Sequence, residues 1–292
     1  MAAKRSSLTI TIQVLLDLLI YLAINACFFL LYGYIPPMDR GFRCDDVSIK
    51  YPRVSETIPM LYLGVVALSA PIITIFVMEG YWRIIRPRRK DGRHIEFTVA
   101  VSKETAMFLY GLSLSMLITE VIKLATGSLR PHFLQTCRPL PYNCTTEGYV
   151  YHVECNNTEM KFWELYDIRK GFPSAHATLA AYSATFITIY LEYRLITPYS
   201  VFLKSFLQTG VWCLALFCSA SRVKDNRHQM GDVVAGMVIG AAFAFWSVFC
   251  LSKHIRREET FSLAGSGGEH TSLLDSKFSP RPGEQEHPDG NA

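Results

Sequence analysis

Charged side chains are scarce in this sequence of 292 residues. Asp, Glu, Lys and Arg make up 18% of the chain, whereas half of all residues are hydrophobic and the mean hydropathy is +0.19. A soluble domain of this composition would leave an unusual excess of apolar surface in water, so the composition favours a membrane protein. The net charge of +4 is too small to indicate a nucleic-acid-binding protein.

Long apolar runs, in contrast, recur six times. Each passes the length of roughly 17 to 25 residues that a bilayer core requires, and together they predict transmembrane helices at about 8–35, 59–82, 105–125, 174–195, 201–221 and 230–251. The predicted fold is therefore all-α, an integral membrane bundle of six transmembrane helices over residues 1–257. The tail over residues 258–292 is rich in Gly, Ser, Pro and Glu and is predicted to be disordered.

Basic residues cluster at one set of span ends. Lys4 and Arg5 precede the first span, the segment WRIIRPRRKDGRH follows the second, and KHIRR follows the sixth. The positive-inside rule places these ends and both termini in the cytoplasm. The outer loops at about 36–58, 126–173 and 222–229 are then expected outside the cell or in a lumen, in a multi-pass protein of the plasma membrane or an endomembrane.

The outer loops carry features of a secretory compartment. The sequons NCT and NNT predict N-glycosylation at Asn143 and Asn156. Half of the eight cysteines lie in these loops, where they can form two disulfides in any of three pairings: Cys44, Cys137, Cys144 and Cys155. The other four lie within predicted spans and are interpreted as small apolar side chains.

A short segment of the tail, EHTSLL, matches an acidic dileucine sorting signal. Glu269, Leu273 and Leu274 therefore predict binding to trafficking adaptors. So short a pattern also arises by chance in an unfolded segment, and the signal is kept as a hypothesis.

A polar stretch, SRVKDNRHQMGD at 221–232, separates the last two spans. His228 and Asp232 are four residues apart, so they share a helix face if the sixth span begins near His228, and we expect the carboxylate to hydrogen-bond the imidazole. KLATGSLRP at the end of the third span and FPSAH before the fourth place further polar side chains at the same membrane level: Lys123, Arg130, Ser174 and His176.

Each of these residues also has a purely structural interpretation. Lys123 can pair with Glu120 three residues earlier or extend to lipid headgroups. Arg130 can bind lipid phosphate without specificity, Ser174 can cap a helix, and His176 can be a hydrogen-bonded helix residue. The concentration of several such groups at one membrane level nevertheless favours a functional site.

The chemistry that suits this set is phosphoryl transfer. Guanidinium and ammonium groups bind a phosphomonoester, and the N-terminus of the fourth span adds free backbone N–H groups. One neutral imidazole can attack phosphorus, and a second can protonate the leaving oxygen. The sequence has no Asp/Glu cluster suited to Mg²⁺ and no Cys/His spacing suited to zinc, so we expect a mechanism without metal or cofactor.

The segments KLATGSLRP, PSAH and SRVKDNRHQMGD, in that order, resemble the three motifs of the lipid phosphate phosphatases, K-x6-R-P, P-S-G-H and S-R-x5-H-x3-D. The similarity extends over all six spans, and GFRCDDVSIKYP and LRPHFLQTC resemble the animal branch. The resemblance implies Mg²⁺-independent hydrolysis of phosphatidate, lysophosphatidate, ceramide 1-phosphate and sphingosine 1-phosphate at the extracellular or lumenal face. It also implies homo-oligomers.

The resemblance further implies a role for each motif residue. His228 would form a phosphohistidine with Asp232 orienting it, and His176 would protonate the leaving oxygen and then activate water. The phosphate would be held by the remaining motif groups: Lys123, Arg130, Arg222, Ser174 and the backbone near Ala175. Ala175 stands where the family usually has glycine; we expect alanine to be tolerated if it begins a helix, and to slow the enzyme if a positive φ is required there.

Other functions stay open at this point. The phospholipid phosphatase-related proteins share the architecture but have motif residues replaced, and such an inert lipid-binding or signalling protein is the main alternative. This chain keeps every charged and imidazole residue that the chemistry requires. A transporter would need ionisable residues near mid-membrane, where the predicted spans have almost none. Hydrolysis of a soluble sugar phosphate or a polyprenyl diphosphate is not excluded, but the first outer loop favours a lipid.

Overall fold

The computed structural model describes residues 7–85, 93–140, 148–197 and 199–251. Several residues named above lie outside these ranges: Lys4, Arg5, Asn143, Cys144, Glu269, Leu273 and Leu274. The whole predicted tail, 258–292, also lies outside the described residues.

The described chain is mostly helical, which confirms the predicted class. The helices are, in order, α1 (Ser7–Tyr34), α2 (Met60–Ile85), α3 (Arg93–Thr126), α4 (Phe133–Cys137), α5 (Phe162–Asp167), α6 (Ala175–Arg194), α7 (Leu203–Lys224) and α8 (Met230–Trp246), which continues as a π-helical turn at Ser247–Leu251. Four short strands, which the sequence did not predict, are β1 (Phe42–Arg43), β2 (Pro139–Leu140), β3 (Tyr149–Val150) and β4 (Glu154–Cys155). β1 pairs antiparallel with β3, and β2 with β4.

Five of the described helices are long and apolar enough to cross a membrane. They are Thr11–Tyr34, Met60–Ile84, Phe97–Thr126, Leu203–Lys224 and Met230–Cys250. The predicted fourth span corresponds to α6, which does not reach the same hydropathy. Most α6 side chains are buried against α2, α3, α7 and α8, so α6 lies at the centre of the bundle and can carry Ala, Ser and Thr where lipid-facing helices carry Leu and Ile.

Glycines on α8 allow close packing against α6. A Cβ atom at Gly236 would lie 2.4 Å from the Ser174 carbonyl oxygen, and one at Gly240 would lie 2.2 Å from the Thr178 carbonyl oxygen. The segment GMVIG is thus a G-x-x-x-G packing motif. It brings the N-terminal turn of α6 close to the first turns of α8.

The outer loops form a second, smaller core at the end of the bundle where α6 begins. Its largest buried side chains include Phe42, Phe133 and Ile168. A disulfide joins Cys137 to Cys155, and Cys44 is also disulfide-bonded. The four span cysteines are free, but only Cys218 is buried, whereas the other three lie on the outside of the bundle: Cys27, Cys213 and Cys250.

Candidate active site

The three polar motifs meet at the end of the bundle covered by these loops. The Gly171 amide donates a hydrogen bond to the Ser128 carbonyl at 2.7 Å, which ties the second motif to the first. The Ser174 amide donates to the Asp232 carbonyl at 3.0 Å, which ties the second motif to the third. Backbone contacts therefore hold the motifs on neighbouring segments although they are far apart in sequence.

His228 lies in the turn between α7 and α8 and is 2% exposed. Its Nδ1 atom lies 2.6 Å from the Gly171 carbonyl oxygen. Because a carbonyl only accepts, Nδ1 carries the proton and Nε2 keeps its lone pair. Burial, followed by the positive charges of Arg130, Lys123 and Arg222, holds the pKa of His228 well below its usual value. The imidazole is therefore neutral at physiological pH, as a nucleophile requires.

Asp232 does not form the expected hydrogen bond to His228. The distance from Asp232 Oδ2 to His228 Nδ1 is 3.7 Å, which is too long. Asp232 is the third residue of α8, and its carboxylate instead accepts from the Gln229 amide at 2.7 Å, as in a capping box. The Gly171 carbonyl takes the orienting position that the sequence assigned to Asp232.

The second motif forms the start of α6. Ser174 is the N-cap, and its hydroxyl accepts from the Ala177 amide at 3.5 Å. Ala175 is the first helical residue and has a negative φ, so alanine fits there without backbone strain. His176 is buried, and its Nε2 lies 3.2 Å from the Ile58 carbonyl oxygen.

Two of the three cationic phosphate ligands that the sequence predicted are arginines with buried side chains. Arg130 Nε donates to the Asp167 carbonyl at 2.9 Å and Arg130 Nη2 to the Asp167 carboxylate at 2.8 Å. Arg222 is 1% exposed, and among the described residues its side chain makes only long contacts, with the Ile58 carbonyl and the Glu56 carboxylate, both at 3.4 Å. Its Nε is buried without a hydrogen-bond partner among the described residues. An anion that reached Arg222 would therefore satisfy an unpaired donor.

The third cation, Lys123, is 5% exposed and lies in the last turn of α3. The pairing with Glu120 that the sequence allowed does not form, because the Glu120 carboxylate contacts Lys170 at 2.5 Å instead. Within the described ranges, the Lys123 ammonium makes no hydrogen bond or ion pair. Lys123, Arg130 and Arg222 all act electrostatically on His176 as well as on His228, so the three cations converge on both imidazoles.

The first outer loop covers the third motif, and the sequence did not reveal this. The Asp225 carboxylate accepts from the amide and the hydroxyl of Thr57, both at 2.7 Å. Arg227 donates to the Val54 carbonyl at 3.2 Å. Together with the Ile58 and Glu56 contacts, these bonds fix the segment 54–58 over the site.

His132 is a third buried histidine, and the motifs did not single it out. Its Nδ1 donates to the Asn226 carbonyl at 2.8 Å, and Asn226 has a left-handed φ of 52°. Burial is the main reason why the pKa of His132 falls to about 4. His132 thus connects the segment after α3 to the turn that carries His228.

The arrangement suits the binding of an anion and proton transfer to or from it. It offers three buried cations, two imidazoles and the free N–H groups at the start of α6. In the part of the chain that the structure describes, no group of three His, Cys, Asp or Glu side chains could hold a metal ion.

The chain is similar to a known protein family and to several curated proteins. The PAP2 superfamily matches residues 104–256, a range that contains all three motifs. The chain belongs to the PAP2 superfamily. The predicted resemblance is thereby confirmed, since curated relatives of this PAP2 protein include the mammalian proteins named phospholipid phosphatase 1 and phospholipid phosphatase 2.

Phospholipid phosphatase 1 of Mus musculus is 31% identical over 265 residues, covering 89% of this chain and 92% of its own. Phospholipid phosphatase 2 of Rattus norvegicus is 29% identical over 239 residues, covering 82% and 86%. Phospholipid phosphatase-related protein type 4 of Mus musculus is 30% identical over 229 residues, which are 72% of this chain and 30% of that protein. No solved structure matches the chain.

Proposed function

We propose that this PAP2 protein hydrolyses lipid phosphate monoesters without Mg²⁺, through a phosphohistidine on His228. The observation that carries the proposal is that three buried cations lie around two imidazoles, one of which, His228, presents a free Nε2. The names of the phospholipid phosphatases 1 and 2 support the same activity.

In the first step, the phosphate is held by charged side chains and by the start of α6: Lys123, Arg130, Arg222, Ser174 and the Ala175 backbone. The His228 Nε2 lone pair attacks phosphorus as the bond to the leaving oxygen breaks. His176, which is protonated when the bound phosphate offsets the charge of the three cations around it, gives that oxygen a proton. The Gly171 carbonyl keeps the His228 proton on Nδ1. Asp232, at 3.7 Å, lies close enough to stabilise the positive charge that develops on the ring.

In the second step, His176 removes a proton from water, which attacks the phosphohistidine. The N–P bond breaks, inorganic phosphate leaves and neutral His228 is restored. The preorganised cations bind the charge on the phosphoryl oxygens in both transition states, which is the usual role of such groups in phosphoryl transfer.

The proposed substrates are lipids because the site lies at one end of a bundle whose spans are apolar. We count α6 as a span in addition to the five apolar helices, which makes six, since it runs through the centre of the other helices. The termini then share the cytoplasmic face with the basic loop segments, and the site faces the extracellular space or a lumen. Asn156, next to the disulfide in the outer loop, is exposed and accessible to glycosylation. Phosphatidate, lysophosphatidate, ceramide 1-phosphate and sphingosine 1-phosphate share the phosphomonoester that the site would bind.

An inert lipid-binding protein is the second candidate. It is favoured by the match to phospholipid phosphatase-related protein type 4. Against it stands the retention of both histidines and all three cations in this chain, at positions where they act on one another.

The test is phosphate release from phosphatidate and lysophosphatidate in detergent micelles that contain EDTA. We expect the native chain to release phosphate and His228→Ala to lose at least about a thousandfold in kcat, as the loss of a nucleophile does elsewhere. His152→Ala, which removes a 92% exposed histidine of the second outer loop, should retain native activity. A well-folded native chain that released no phosphate from any lipid would favour the inert candidate.

A further inference from the structure

A fully buried ion pair lies beside the phosphate site. Lys170 and Glu120 are 2% and 3% exposed, and Lys170 Nζ lies 2.5 Å from Glu120 Oε1. The ammonium also contacts the Tyr32 carbonyl at 3.2 Å and lies over the rings of Tyr32 and Tyr166, at 5.1 and 4.3 Å from their centroids. Such a pair is costly to bury and rarely favours stability over an apolar pair, which raises the question of its function.

Glu120 has a second cation within reach. Lys123 follows it by three residues on α3, so both side chains project from the same face of the helix. Carboxylate and ammonium groups at this spacing commonly pair, yet Lys123 is buried without a carboxylate partner among the residues described. The Glu120 carboxylate is turned to Lys170 instead.

We propose that Lys170 holds the Glu120 carboxylate away from Lys123 and thereby leaves the Lys123 ammonium available for phosphate. The proposal rests on the proposed function, in which Lys123 binds the phosphate. Lys170 is a positioning residue in this account, because it acts through Glu120 and Lys123 and does not contact the substrate.

Loss of Lys170 alone would leave Glu120 buried and unpaired. The nearest way to satisfy that charge is to pair with Lys123, which would then be neutralised and partly withdrawn from the site. Loss of both Lys170 and Glu120 removes the competing carboxylate together with its partner. The phosphate affinity should therefore fall in the single Lys170 variant and return in the double variant.

A simpler structural role makes the opposite prediction. Lys170 precedes Gly171, whose carbonyl orients His228. If Lys170 served only to anchor this segment, removing Glu120 as well would remove a further anchor. The double variant would then be as impaired as the single variant or more so.

The experiment is calorimetric titration of orthovanadate, a phosphate mimic, into the detergent-purified full chain. We expect Lys170→Met to bind vanadate at least about tenfold more weakly than the native chain, because truncating one partner of a buried charge pair commonly has effects of this size. Glu120→Gln and the double variant should bind within about threefold of the native value, and KM for phosphatidate should follow the same order with a smaller change in kcat. Lys170→Gln, which retains a donor for Glu120, provides the comparison if Lys170→Met does not fold.

Each result is informative. Native affinity in both Lys170 variants, or a double variant as weak as Lys170→Met, overturns the inference and leaves the proposed function intact. A native chain that does not bind vanadate at all overturns both.

Discussion

At the scale of single residues, two buried histidines are held neutral, and one of them is the proposed nucleophile. His228 and His132 are both buried, each with its Nδ1 proton donated to a backbone carbonyl. Burial disfavours the charged ring in both cases and lowers both pKa values. The free energy of unfolding therefore decreases when the pH falls, because the unfolded chain can take up protons that the folded chain cannot.

The consequence for stability can be measured. The unfolded pKa of histidine is about 6.5, and that of folded His132 is about 4. Between these values the unfolded state binds more protons, so the free energy of unfolding falls as the pH falls, by about 3 kcal/mol for His132 over the whole window. We expect the melting temperature of the purified chain to fall as the pH is lowered from about 7 to about 5. The melting temperature of His132→Gln should fall less over the same interval.

A matched control separates this effect from general acid sensitivity. His152 is 92% exposed, so His152→Gln should show the same pH dependence as the native chain. If His132→Gln and the native chain lost melting temperature in parallel, His132 would not be held neutral in the folded state.

Spacing in the sequence singled out the charged residues that lie close together in the structure, but not the groups that position them. Lys123, Arg130 and the two motif histidines stand at fixed intervals next to span ends. Gly171 is different, because its carbonyl has no side-chain signature and meets His228 only in the folded chain. The structure shows why glycine suits this position, because a Cβ at Gly171 would lie 2.9 Å from the Ser128 carbonyl oxygen.

At the scale of helices, the contact between α6 and α8 sets the distance between the two motif histidines. Gly236 packs against the Ser174 carbonyl, at the turn of α6 that carries His176. The same two helices are joined by the hydrogen bond from the Ser174 amide to the Asp232 carbonyl. A side chain at Gly236 would push these turns apart at the level of the site.

Gly236→Ala should therefore impair both folding and turnover. The added Cβ would lie 2.4 Å from a backbone oxygen, which cannot move as a flexible side chain would. We expect a loss of about 1–3 kcal/mol in stability and a fall in kcat of at least about tenfold, since small displacements of catalytic groups have large effects. Melting temperature and phosphate release in detergent would measure both.

Gly210 on α7 provides the matched control, because a Cβ there meets no atom within 4 Å. Gly210→Ala should leave kcat unchanged and retain or slightly raise stability. Equal activity in Gly236→Ala and Gly210→Ala would show that the α6–α8 contact does not position the site.

The long helices could be predicted from apolar length, whereas the short elements of the outer loops could not. α4, α5 and the two-residue strands are too short for a periodic pattern and are held by contacts such as the Cys137–Cys155 disulfide. α6 shows the limit of hydropathy itself. α6 is long enough to span a bilayer. Because it lies at the centre of the bundle, its side chains contact other helices instead of lipid, and it carries smaller and more polar residues than the other spans.

At the scale of the whole molecule, polar networks lie at both ends of an apolar bundle. The end opposite the site has its own buried carboxylate, Glu79, which accepts from the Tyr190 hydroxyl at 2.8 Å and pairs with Arg194 at 2.8 Å. This network joins α2 to the last turns of α6. Glu79, near the end of α2, and Glu120, near the end of α3, thus belong to separate networks and do not form a path through the membrane.

Because the two networks are separate, a substitution at Glu79 should lower stability without changing catalysis. Glu79→Gln preserves the shape of the side chain but removes the charge that pairs with Arg194, so we expect a loss of about 1–3 kcal/mol in stability. Because Glu79 and the site lie at opposite ends of α6, kcat and KM should stay within about twofold of native values. Glu192→Gln, which removes a 59% exposed partner of Lys204, should change stability by less than about 1 kcal/mol. A fall in kcat for Glu79→Gln as large as that for Gly236→Ala would mean that α6 transmits strain along its whole length, and that the site depends on the packing of the far end.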